Sequence, residues 1–117
     1  MTITVHNGVA MLELEATGPL LATEQDALDL IGETYGTDAD TIVVPLARLD
    51  PQFFELRNGM AGAFIQKLQN YQKRLVVLGD IAAQTAASKS LHDFVYETNR
   101  VGHHLFAPDR ETMLARL

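Results

Sequence analysis

Ile3 and Val5 alternate with polar residues, Asn7-Gly8 follows, and Val9 to Glu15 alternates again. This is the two-residue period of a half-buried strand on either side of a turn. Asn-Gly favours a tight hairpin because both central residues need positive φ. Gly18-Pro19 ends the second strand. The period then changes. Ala27, Leu28, Ile31 and Tyr35 share one helical face, Thr23 can cap the first turn, and Asp26 can reach back to it. Gly36 is the natural stop.

Thr41 to Ala47 is a nearly continuous β-branched run, the pattern of a strand buried on both faces. Asp50-Pro51 opens a short helical element holding Phe53 and Phe54, which Asn58-Gly59 interrupts. A helix from Met60 to Gln72 turns Ala61, Phe64, Ile65, Leu68 and Tyr71 inward and Gln66, Lys67, Gln69, Asn70 and Lys73 outward. Arg74 to Gly79 predicts a second buried strand, and the alanine-rich Ala82 to Ser90 a loop or weak helix. Ser90-x-x-Asp93 predicts the cap of a helix with Leu91, Phe94 and Val95 facing in, ended by Asn99 to Gly102. His104 to Ala107 reads as a last strand, and Asp109 caps a final helix bearing Met113, Leu114 and Leu117.

The order β-β-α-β-α-β-α-β-α predicts a single α/β domain over residues 1–117. Its sheet is mixed and mostly parallel, with the hairpin at its start and helices covering it. At 117 residues the chain can bury one core without staples.

Composition narrows the function. No cysteine is present, which excludes disulfides, thiolate chemistry and cysteine-ligated metals. Fifteen acidic against nine basic residues give a net charge of −6, the wrong sign for neutralising nucleic-acid phosphates. No apolar run approaches the ~20 residues of a membrane helix. Met1 to Glu15 has no basic region and carries two glutamates, unlike a signal peptide, so the expectation is a soluble cytoplasmic protein. No carboxylate or histidine spacing signals a metal site, and no cofactor motif stands out.

The string Phe53-Phe54-Glu55-Leu56-Arg57-Asn58-Gly59-Met60-Ala61-Gly62 continues into Gln66-Lys67 and Asn70-Tyr71. Asp26-Ala27-Leu28-Asp29-Leu30-Ile31 precedes it and Glu97-Thr98-Asn99-Arg100 follows it. With these segments the chain resembles the domain-of-unknown-function family 4180 over nearly its whole length. That resemblance implies a fold and no activity. The element order is also similar to that of the STAS domain of anti-sigma-factor antagonists and sulfate-transporter tails. In the bacterial antagonists a kinase phosphorylates a Ser or Thr at the start of the helix after the first crossover strand. This chain has no Ser before Ser88 and no Thr between Thr41 and Thr85, so that switch is chemically unavailable.

Ligands of open α/β sheets bind outside the carboxyl ends of the parallel strands. Arg48, Asp50, Arg57, Asn58, Gly59, Asp80 and His92 are expected around that end. Arg57-Asn58-Gly59 leads into a helix whose first N–H groups lack partners, which favours an anion. Either a small anionic ligand or a partner's carboxylate sits there, or Arg57 pairs with Asp50 or Asp80 and fixes the loop. His92 and Asp80 could form an acid–base pair, with no nucleophile placed to use it. His103 and His104, adjacent in a strand, would point to opposite faces and share no metal. Gln66, Lys67 and Asn70 form either a recognition surface or a solvated face. Phe53 and Phe54 either leave one ring exposed at an interface or fold back and bury both. Two readings result. One is a non-catalytic regulatory module that binds a protein partner or a second copy through Phe53, Phe54, Gln66, Lys67 and Asn70. The other is a small anionic-ligand-binding protein or enzyme using the Arg57 and Asp80 end.

Overall fold

In strand β2 (Val9–Glu13), Met11 and Leu12 point to opposite faces of the sheet and both are buried, so both faces are covered. The computed structural model describes all 117 residues, Met1–Leu117. Five strands lie in sequential order: β1 (Thr2–His6), β2, β3 (Thr41–Pro45), β4 (Arg74–Leu78) and β5 (Leu105–Ala107). β1 and β2 are antiparallel, joined through Asn7 and Gly8 at φ 50° and 79°; the remaining pairs are parallel. The predicted mixed, mostly parallel sheet with an N-terminal hairpin is therefore present.

Helices α1 (Glu24–Thr34), α2 (Met60–Asn70) and α4 (Lys89–Val101) pack on one face. Their core joins Leu30, Ile31, Phe64 and Leu68 to Leu12, Ile42, Val44, Leu75, Val77 and Phe106. Parallel strands in sequential order, joined by crossovers of one hand, put the connecting helices on one side. Helix α5 (Arg110–Arg116) covers the other face, where Met113 meets Met11, Val43, Val76, Leu105 and Ala107. No helix is long and apolar enough to cross a membrane.

Several elements depart from the sequence pattern. The Thr23 capping box is present, but the buried stripe of α1 is Ala27, Leu30, Ile31 and Thr34; Tyr35 is 70% exposed. Tyr35 lies past the last helical turn with extended backbone, so the period no longer carries it inward. Tyr71 is likewise exposed beyond the end of α2. β3 stops at Pro45, which has no N–H to extend the ladder, and Leu46–Arg48 form a 3₁₀ turn. Two further 3₁₀ turns, Pro51–Phe54 and Leu56–Asn58, lead to α2. Ala82–Ala87 form a short helix, α3. Helix α4 starts two residues earlier than the Ser-x-x-Asp pattern suggests. Ser88, whose Oγ accepts from Leu91 N at 3.2 Å, is the cap, and Ser90 is already helical. The earlier start lets Lys89 pair with Asp93 one turn on.

Candidate functional site

The connection after β3 builds the carboxyl end of the sheet. Leu21 N donates to Arg48 O and Asp50 N donates to Leu21 O, at 2.7 and 3.0 Å, tying this connection to the segment before α1. Arg48 itself is 9% exposed. Its guanidinium donates to the carbonyls of Pro19, Glu15 and Thr17 at 2.9, 3.1 and 3.4 Å. Gly18, at φ 147°, lies against it: a Cβ there would sit 2.7 Å from Arg48 Cζ. Arg48 thus turns its Nε and Nη1 to the 15–19 loop. Asp50 is equally occupied, capping the first 3₁₀ turn through Gln52 N at 2.9 Å.

Asn58 braces the next turn. Its Nδ2 donates to Gln52 O and its Oδ1 accepts from Met60 N, both at 2.8 Å. Gly59 follows at φ 76° as the N-cap of α2. Arg57, between these fixed residues, is exposed and has no carboxylate within ion-pair distance. It pairs with neither Asp50 nor Asp80.

Two adjoining hollows open at this end. The larger, about 560 Å³, is lined by Leu20, Leu46, Leu49, Pro51, Phe54 and Leu91, with Glu55, Gln84 and Ser88 as its polar members. The Oε1 of Gln84 is buried and has no hydrogen-bond partner. The second hollow, about 310 Å³, shares Phe54, Glu55 and Ser88 and adds Leu56, Arg57 and Ser90. An apolar cleft therefore runs into a polar one holding a free guanidinium, a carboxylate and two hydroxyls. Behind its wall residue Leu46 lies Gly79, at φ 152°, where a Cβ would come within 2.6 Å of Leu46 Cβ.

Asp80 and His92 lie elsewhere. Both line a separate hollow of about 350 Å³ between α3, α4 and the end of β5. Asp80 Oδ1 accepts from Ala82 N at 2.9 Å, and His92 Nδ1 lies 3.3 Å from Asp93. The seven residues expected at one site are thus divided. Arg57, Asn58 and Gly59 form one rim, Asp80 and His92 another, and Arg48 and Asp50 hold the chain between.

Phe53 is fully buried, edge-on to Phe64 with ring centroids 5.6 Å apart, and Phe54 is half-buried against the same core. Gln66 Nε2 donates to Asn70 Oδ1 at 2.9 Å, and Lys67 lies 3.7 Å from Glu24. His103 and His104 do not straddle a strand, because β5 begins only at Leu105. Their rings stand 4.5 Å apart and line one groove of about 520 Å³ between α2 and α4. His104 Nδ1 accepts from Leu75 N at 3.0 Å, which sets the proton on Nε2, 2.8 Å from Gln69 Oε1. Burial first, then the neighbouring His103 and Arg74, push its pKa down to about 4. No three His, Asp or Glu side chains cluster as metal ligands would.

Sequence reasoning missed the apolar cleft and Gln84. The cleft joins Leu20, Leu46 and Leu91, far apart in the chain and ordinary by type. The one readable sign was Pro45, which ends the strand before its apolar run ends.

The family model of a domain of unknown function, DUF4180, matches residues 6–117, and the chain belongs to that family. No curated protein and no solved structure matches it.

Proposed function

We propose that this DUF4180 member is a small-ligand-binding regulatory module of the cytoplasm with a STAS-like topology. Its ligand is a compact amphipathic organic acid held at the carboxyl end of β3. The observation that carries this reading is the apolar cleft that runs into a hollow containing the unpaired Arg57. An apolar body removed from water by Leu46, Leu49, Phe54 and Leu91 supplies affinity. The guanidinium offers a fork that matches a carboxylate. Glu55 and Gln84 are acceptors on the same walls. They favour an acid that also carries a hydrogen-bond donor, as an apolar amino acid or 2-hydroxy acid does.

The interaction surface expected at Phe53, Phe54, Gln66, Lys67 and Asn70 has less support. Phe53 is in the core and the polar residues are engaged with one another or with Glu24.

Thermal unfolding with leucine, phenylalanine, 2-hydroxyisocaproate, phenylacetate and hexanoate tests the proposal. A ligand at a hundred times its Kd adds about 3 kcal/mol to the folded state and raises Tm. At least one acid is expected to raise Tm in the wild type and fail to do so in Arg57→Ala. No shift with any of them, or a shift that survives Arg57→Ala, overturns it.

A further inference from the structure

The two edges of the sheet are finished differently. At β5, the Asn99 side chain accepts from Phe106 N and donates to Phe106 O, at 2.8 and 3.1 Å, so the outward backbone groups are filled. At β1, β2 satisfies one side and no hydrogen bond from any other part of the chain reaches the backbone of Thr2–His6. An open edge is a template for another strand, and chains that avoid this place Lys, Pro or a bulge there. β1 has none: Thr2-Ile3-Thr4-Val5-His6 holds no proline and no Lys, Arg, Asp or Glu, and its register with β2 is unbroken.

The exposed side chains repeat the message. Ile3 and Val5 lie opposite Leu12 and Ala10, on the face that carries the main core. They remain 42% and 68% exposed because the helical layer stops before β1. Tyr35, 70% exposed, leaves α1 at the hairpin end of the same face.

We propose that β1 pairs antiparallel with β1 of a second copy of this chain, joining two five-stranded sheets into one. The strand is complementary to itself. With the two-fold axis at Thr4, Ile3 stands opposite Val5 and Thr2 opposite His6. Apolar residues then meet apolar ones on one face, and polar ones meet on the other. A slip by one residue would set each apolar side chain against the polar face. Charge selects the same occupant. Copies carrying −6 each repel, and β1 is a stretch where no carboxylate meets a carboxylate. Glu13, beside it on β2, is already neutralised by Arg110 of α5. A charged partner finds nothing on this strand to read.

Light scattering on a sizing column, across a concentration series, tests the pairing. The wild type is expected at twice 12.9 kDa and Val5→Lys at 12.9 kDa with an unchanged circular dichroism spectrum. Because the chain has no cysteine, Thr4→Cys offers a second readout. Residues facing each other across an antiparallel pair sit ~4.5–5.5 Å apart, within disulfide reach, so mild oxidation should cross-link it as a dimer. A wild type that stays at one chain's mass throughout overturns the proposal. So does a dimer that persists in Val5→Lys, or one in which Thr4→Cys does not cross-link.

Discussion

The β5 edge and the β1 edge belong to one sheet and solve opposite problems. β5 is three residues long beside the five of β4, so part of the β4 ladder has no strand to meet. Side chains finish that edge. His104 accepts from Leu75 N, Asn99 takes both outward groups of Phe106, and Arg74 donates to the carbonyls of His103 and Gly102 at 2.7 and 3.2 Å. β1 pairs fully with β2 along five residues and leaves its other side to solvent. A sheet that seals a short edge with three side chains and leaves a longer one bare separates stability from association. The sealed edge holds the monomer together, and the bare one is available to a partner.

That division is most sharply tested at Asn99. Asn99→Ala leaves unpaired the N–H and C=O of Phe106, a residue only 7% exposed. Two such orphan groups cost about 3 kcal/mol. The urea midpoint should fall accordingly, and the unsealed edge should make the variant prone to aggregation. If Asn99→Ala unfolds at the wild-type midpoint, the sealed edge contributes nothing and the contrast is lost.

His104 gives the next effect, through pH. The neutral ring both accepts and donates, and a second proton would face Leu75 N–H. Its folded pKa of about 4 lies below its unfolded value of 6.5. Between those values the unfolded chain binds more protons, so stability is complete above 6.5 and declines as pH falls towards 4. At pH 5 the loss amounts to about 2 kcal/mol. Glu13, held down by Arg110, and the other lowered carboxylates lose most of their contribution below their ordinary values of 4.5 or 3.8. At pH 5 the histidine therefore dominates, and the His104→Gln comparison separates it from them. Urea titrations at pH 7 and pH 5 on wild type and His104→Gln check this. The wild type should lose stability, and the variant's two midpoints should lie closer together.

Local chemistry was legible in the chain; distant chemistry was not. The Asn7-Gly8 hairpin, the Thr23–Asp26 box, the Asp109 cap and the Gly102 stop each depend on residues within a few positions of one another. The start of α4 was misplaced because two serines competed; Ser88 is the one whose Oγ accepts from Leu91 N. The candidate site was legible only in part. Arg57 stays unpaired, as an anion site requires, and Asn58 and Gly59 shape its loop. Arg48 was expected at the ligand end, and its bracing role went unread because its partners are backbone carbonyls of the 15–19 loop, which carry no residue-type signature. The sealing of β5 was unreadable for the same reason: Asn99 bonds to backbone, and any residue but proline at position 106 would offer the same groups.

The smallest effect on stability belongs to the bare edge, and its smallness is what makes it informative. Val5 is 68% exposed and its backbone has no partner beyond β2. Val5→Lys should therefore move the monomer's unfolding free energy by no more than ~0.5 kcal/mol, the range of an ordinary surface substitution. Measured well below the concentration at which copies associate, its urea midpoint should match the wild type. At high concentration the wild type alone should gain, because a dimer that forms only from folded chains shifts the midpoint with protein concentration. A midpoint that rises with concentration in the wild type and stays flat in Val5→Lys assigns the gain to β1. A large loss in Val5→Lys at every concentration would mean that β1 is part of the monomer's core, and the two edges would then do the same work.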